Sequence, residues 1–163
     1  MPRRLLVVHH SPTTGTRALT DSVVAGAHDE LITGVEVVVR AALEATAEDV
    51  LAAQGLVLGT TANFGYMSGA LKHFFDSTFH RVGGALAPDG TPAAGGAGGR
   101  LPFGVYVHGR YDTAGAVRSV LAIAGALPWQ QATPALELVG DVGEPERRAA
   151  YELGGTIAAL LSE

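Results

Sequence analysis

Along this chain, dense apolar runs alternate with stretches in which apolar residues return every third or fourth position. Leu5 to Val8, Gly55-Leu-Val-Leu-Gly59 and Leu101 to His108 are short runs of strand length, and their bulk predicts strands buried on both faces. Val35 to Val39 predicts a second strand in chain order and Ala135 to Val139 a fifth. Between these runs the spacing is helical. Leu19, Val23, Ala27 and Leu31 share one face of a helix that takes over from Arg17 and is broken by Gly34. Thr46-Ala-Glu-Asp49 forms a capping box for a short helix ending at Gly55. Leu71, Phe74, Phe75 and Thr78 lie on a helix opened by Ser68 as N-cap and ending near His80. Val117, Val120, Leu121 and Ala124 mark a fourth helix stopped by Pro128. Leu153, Ile157 and Leu160 mark a fifth, started by Glu144-Pro-Glu. Strands alternating with helices predict an α/β fold with a parallel sheet covered on both faces.

One segment breaks the pattern. Gly83 to Arg100 is rich in glycine and alanine and has almost nothing to bury, so the expectation is a flexible insert, mobile filler with a lid as the alternative, poorly ordered over residues 85–99 without ligand, within a single domain spanning 1–163. Its paired glycines fail the Gly-x-Gly-x-x-Gly spacing and precede a strand instead of a helix, which removes a dinucleotide fingerprint.

Charge and composition narrow the function classes. A net charge of -5 gives no reason to expect a nucleic-acid partner, and the absence of cysteine excludes disulfides, thiolate catalysis and thiolate metal sites. Met-Pro-Arg-Arg before an apolar run imitates a signal peptide, but the run ends at His9 and no small-residue cleavage site follows. No stretch reaches transmembrane length. The expectation is a cytoplasmic protein without membrane insertion.

In open α/β sheets, ligands sit in loops at the carboxyl ends of the strands. The first such loop, Ser11-Pro-Thr-Thr-Gly-Thr16, offers hydroxyls from Ser11, Thr13, Thr14 and Thr16, with Gly15 allowing close backbone approach. Set at a helix start, these groups suit a phosphate. Without a lysine the loop is not a nucleoside-triphosphate loop, and a phosphate monoester held mainly by neutral donors, with help from Arg17, fits better. The alternative is an ordinary hydroxyl-rich helix cap. The second loop, Thr60 to Met67, opens with Thr60, Thr61 and Ala62, and the Asn63, Phe64, Gly65, Tyr66 and Met67 that follow are a mixture suited to a flat ring with a polar edge. Phe64 or Tyr66 could stack on such a ring, or could simply pack at the helix start. The third loop follows His108 and contains Gly109 and Asp112.

Three other groupings resemble sites but carry less. His73, Asp76 and His80 share a helix face, yet the two histidines lie about 10 Å apart along the axis, too far to bind one metal unaided. A surface Asp–His pairing is the expectation there, with no metal. Ser68 lacks the spacing of a hydrolase nucleophile elbow and reads as a cap. Of His9 and His10, one can serve buried hydrogen bonds. No residue is singled out as catalytic.

Taken together, these loops resemble those of the flavodoxin-like FMN proteins. Ser11 to Arg17 is similar to their phosphate loop, Ser/Thr-x-Thr-Gly-x-Thr, with an extra residue before the glycine and Thr16 directly after it, which leaves the role of each hydroxyl open. Gly59-Thr-Thr-Ala-Asn-Phe-Gly-Tyr-Met-Ser-Gly-Ala-Leu-Lys-His-Phe-Phe-Asp76 resembles the Gly-Thr-Pro-x-x-x-Gly-x-x-(Ser/Ala)-Gly-x-x-Lys-x-Phe-x-Asp segment of NAD(P)H-dependent FMN reductases and NAD(P)H:quinone oxidoreductases. The resemblance covers roughly residues 4 to 125. It implies a three-layer doubly wound flavodoxin-like fold with a five-stranded parallel sheet of order 2-1-3-4-5. It also implies FMN held by the first loop, cupped by residues 60 to 67 and flanked by His108 to Asp112. The activity implied is electron transfer from NAD(P)H to a quinone, flavin or other small-molecule acceptor. The alternative is a flavodoxin-type carrier docking to redox partner proteins. Whether the protein is a homodimer stays open.

Overall fold

The computed structural model describes residues 1–83 and 100–162. The insert expected between Gly83 and Arg100 therefore falls outside the described residues, apart from its two ends.

The strands are β1 (Arg3–His9), β2 (Val35–Ala41), β3 (Gly55–Asn63), β4 (Tyr66–Met67), β5 (Leu101–Gly109), β6 (Trp129–Gln131) and β7 (Leu136–Val139). The helices are α1 (Thr14–Ala27), α2 (Ala47–Leu51), α3 (Gly69–Val82), α4 (Ala114–Ala124) and α5 (Glu144–Ala159). The main sheet runs β2-β1-β3-β5-β6 with every neighbouring pair parallel, and β7 also pairs with β5. This is the expected doubly wound α/β order, with its last position divided. β6 pairs with Leu101 to Phe103 and β7 with Tyr106 to Gly109, so two short segments share the outer edge of β5. Pro134 lies between them, where a residue without an N–H cannot continue the ladder. The fifth strand expected at Ala135 to Val139 is thus the second segment alone, and Trp129 to Gln131 is an addition to it.

The apolar runs are continuous because successive side chains enter different cores. Leu6, Val8, Leu56, Leu58, Val105 and Val107 face α2, α3 and α4. Leu5, Val7, Val57 and Tyr106 face α1 and α5. All four residues from Leu5 to Val8 are fully buried. On the second face the two helices nearly touch, since a Cβ on Gly26 would lie 1.9 Å from the Tyr151 carbonyl oxygen.

Several boundaries differ from the sequence expectation for local reasons. α1 begins at Thr14 instead of Arg17, because Thr13 and Thr16 form a reciprocal capping box. It ends at Ala27, and Leu31 is 90% exposed and not on its buried face. There the Asp29 side chain accepts a hydrogen bond from the Leu31 amide (2.9 Å) and turns the chain out of the helix. α2 stops at Leu51, before β3 starts at Gly55, and α3 runs on to Val82. Ser68 caps α3 by accepting from the Leu71 amide at 3.2 Å. On α3, Asp76 pairs with Lys72 at 2.7 Å and not with a histidine, while the His80 ring lies 3.9 Å from that of Phe79. No described helix is long and apolar enough to cross a membrane.

Candidate functional site

Beyond the carboxyl ends of β1, β3, β5 and β7 lies a cavity of about 690 Å³. α1 contributes Thr13, Thr14 and Gly15 at its start, and β3 contributes Thr61, Ala62 and Asn63. The end of β5 adds His108, Gly109 and Arg110. From the opposite side come Gly140, Asp141 and Val142, in the loop after β7, and Arg147 of α5. The volume is that of a small-molecule site.

At its base, the first turn of α1 presents backbone N–H groups with no helical partner, and the helix dipole makes them a locus for an anion. A Cβ on Gly15 would sit 3.2 Å from Val142 Cγ2 and 3.4 Å from His108 Cε1, so glycine here keeps the cavity open between α1 and the far loop. Thr61 is only 8% exposed, and its buried hydroxyl has no hydrogen-bond partner among the described residues. An unpaired buried hydroxyl is costly; Thr133, which does not line the cavity, has the other one among the described residues. The Gly140 carbonyl accepts a hydrogen bond from His108 Nε2–H at 2.6 Å. That bond sets the neutral ring's tautomer and leaves Nδ1 as the acceptor.

The first loop divides into two roles that its composition does not separate. Thr13, Thr14 and Gly15 line the cavity, whereas Ser11 and Thr16 do not. Thr16 is buried, and its Oγ1 accepts from the Thr13 amide (3.1 Å) and lies 2.8 Å from Thr13 Oγ1, so it serves the capping box. Ser11 joins a buried hydroxyl chain: Ser11 Oγ lies 2.7 Å from Thr20 Oγ1, which lies 2.5 Å from Tyr106 Oη. His9 Nδ1, at 2.8 Å from Ser11 Oγ, completes it. Burial holds the His9 imidazole below its ordinary pKa, aided by the nearby His10, and burial pushes the Tyr106 phenol well above its own. Both remain uncharged near neutrality, and the chain pins the loop that enters α1. Ser11 lines a separate, smaller cavity with Arg17 and Asp21.

The second loop is a hairpin and not a loop. β3 continues through Asn63, and β4 returns antiparallel with Ala62 opposite Met67 and Asn63 opposite Tyr66. The two turn residues have positive φ, 51° at Phe64 and 75° at Gly65, as in a type I′ turn. Thr60 and Met67 are buried in the hairpin's base. Thr60 Oγ1 donates to the Thr61 carbonyl and accepts from the Ser68 amide, and the Met67 amide donates to Ser119 Oγ. Phe64, Gly65 and Tyr66 form the exposed tip, outside the cavity, and the Gly65 carbonyl packs on α4 at Gly115. Asp112 also stands outside the cavity, its Oδ1 accepting from the Ala114 amide at 2.9 Å at the start of α4.

Phe64 is fully exposed in a backbone conformation that costs an L-residue roughly 1–2 kcal/mol. Phe64→Asn creates Asn-Gly, the preferred pair for this turn. We expect it to stabilise the protein by about 1 kcal/mol in urea denaturation, while weakening any ligand that uses the phenyl ring. Unchanged stability would show that the turn is not strained.

From the sequence, neither Gly140 to Val142 nor Arg147 was singled out, whereas Arg110 lies within the stretch His108 to Asp112 that the resemblance implied. The signal for part of this was present: Gly140-Asp-Val-Gly143 stands between a strand and a helix, as do the loops that were recognised.

No family model matches the sequence. The chain is 35% identical over 83 residues to a flavodoxin of Aquifex aeolicus (strain VF5), a match covering 51% of this chain and 44% of that protein. The matched stretch is thus less than half of the relative's length. Among solved structures, a flavodoxin from the domain Archaea superposes with a TM-score of 0.77 at 14% identity, covering 97% of this chain and 98% of the other. A WrbA-like flavodoxin from Agrobacterium tumefaciens gives a TM-score of 0.73 at 16% identity, covering 98% and 97%. The architecture is that of a doubly wound α/β protein with a cavity at the strands' carboxyl ends. The chain has the flavodoxin-like fold.

Proposed function

We propose that this chain is an FMN-binding redox protein of flavodoxin type, passing electrons between partners. The observation that carries the reading is the cavity at the α1 start, where free helix amides, an open Gly15 and the unpartnered Thr61 hydroxyl converge. The residues present fit the group. Thr13, Thr14 and Gly15 would hold its phosphate, and Thr61 and Asn63 would meet its polar atoms. His108 would present its free Nδ1 as an acceptor. Bound FMN would supply electron transfer through its isoalloxazine ring, which is chemistry that no side chain here provides.

A second reading, an NAD(P)H-dependent oxidoreductase reducing a quinone, a flavin or another small acceptor, is favoured by the resemblance of Gly59 to Asp76 to such reductases. It is favoured also by a rim that includes Arg110 and Arg147 beside Asp141, in place of the acidic surround usual in carriers. One preparation tests both readings. The purified protein should bind FMN with a perturbed visible spectrum; absence of binding would overturn the FMN assignment itself. Under anaerobic conditions, NADH and NADPH are then added in turn. The carrier reading expects no bleaching of bound flavin beyond that of free FMN. Bleaching that is fast and saturable in either nicotinamide would replace it with the reductase.

A further inference from the structure

We propose that Arg147 is the charged member of this anion site, and that it makes the site prefer a ligand bearing a phosphate monoester over the same ligand without one. The inference rests on the FMN reading above and adds to it a cation from α5 that its neutral hydroxyl donors do not supply.

Arg147 lines the same cavity as Thr13, Thr14 and Gly15, and also borders the groove between α1 and α5. It belongs to the amino-terminal part of α5, where the helix dipole favours acidic residues such as Glu144 and Glu146 and disfavours a cation. An anion near such a charge offsets that cost. Its present partner is Glu144, at 3.0 Å, whose side chain is 72% exposed. Such an exposed pair contributes little and is readily exchanged. Glu144 does not line the cavity, so its carboxylate does not stand between Arg147 and the cavity.

The neighbouring charges do not supply the same function. Arg110 lines the cavity but is paired with Asp141 at 2.9 Å, and Asp141 is itself a cavity residue. Arg17 reaches back to the Pro12 carbonyl and Thr14 Oγ1, both at 3.5 Å, and does not line the cavity. Arg147 is thus the arginine that combines a place in the cavity with a partner outside it. A guanidinium presents paired N–H donors that match two phosphate oxygens, a geometry that lysine lacks. Thr61, a residue of the same cavity, independently has a buried hydroxyl with a hydrogen bond left to make.

The test compares FMN and riboflavin binding, by quenching of flavin fluorescence, in the wild-type chain and in Arg147→Gln and Arg147→Lys. Arg147→Gln should weaken FMN about tenfold to a hundredfold, the range for a hydrogen-bonded charge, and leave riboflavin unchanged. Arg147→Lys should recover part of the loss. Added inorganic phosphate should compete with FMN in the wild type and less in Arg147→Gln, and the salt dependence of FMN binding should flatten in that variant. Unchanged FMN affinity in Arg147→Gln would overturn the role of Arg147 and leave the FMN reading standing. Equal loss of FMN and riboflavin would also overturn it, showing that the residue only shapes the cavity. A wild-type chain that binds neither flavin would overturn the FMN reading and this inference with it.

Discussion

Gly15→Val is expected to weaken FMN binding at least about tenfold while the protein stays folded. Gly15 lies in the first turn of α1 without a left-handed φ, so the backbone tolerates a side chain. The added carbons, however, would enter the cavity. The Cβ alone would come within 3.2 Å of Val142 and 3.4 Å of His108, and the two methyl groups of valine would reach further. They would cover the helix amides to which the phosphate of the proposed ligand would bind. Riboflavin, which has no phosphate, should lose less, and the ratio of the two affinities is the quantity to measure. Equal loss for both flavins would show that the α1 turn is not a phosphate nest. A large fall in melting temperature would show that the glycine serves packing instead.

The largest effect on stability is expected from Gly59→Ala. Gly59 lies on β3 opposite Tyr106 on β5, and a Cβ there would fall 2.0 Å from Tyr106 Cζ and 2.2 Å from its hydroxyl. Tyr106 is among the largest fully buried side chains, and Thr20 Oγ1 lies 2.5 Å from its hydroxyl. One methyl group would force the ring off this partner. Overpacking typically costs about 1–3 kcal/mol, and losing the buried hydrogen bond adds to it, so a loss of about 3 kcal/mol or more is expected by denaturant titration. Tyr106→Phe should cost less, about 1 kcal/mol, because Thr20 keeps Ser11 as a partner. If Gly59→Ala is instead as mild as Tyr106→Phe, the sheet yields at this point and the hydroxyl chain is not rigid. Because that chain anchors the loop leading into α1, flavin affinity should fall along with stability.

Much of this molecule is legible in its amino-acid order, and the legible parts share a physical origin. Leu5 to Val8 and Leu56 to Leu58 read as strands because a parallel sheet buries both faces, leaving no polar alternation to confuse the pattern. The Thr46 capping box and the Ser68 cap were readable because each bond closes within three residues. The glycine-containing loop at the start of α1 is likewise a local feature, and so its suitability for a phosphate could be stated before the fold was known.

What local order did not settle depends on residues distant in the chain. Thr60 to Asn63 is polar and reads as a loop, yet Thr60 and Thr61 continue the sheet because Val107 and His108 stand beside them. Ser11, Thr13, Thr14 and Thr16 are chemically similar, and only their surroundings separate them. Tyr106, 86 positions from Thr20, closes the hydroxyl chain that holds Ser11 away from the cavity. Gly140 to Val142 and Arg147 reach the site only because β7 aligns on β5 and α5 then returns beside α1. Burial pattern and caps are properties of neighbouring residues, and the sequence determines them alone. Which side of a loop faces the cavity, and which distant charge lines it, follows from packing across the sheet, and only the tertiary structure decides it.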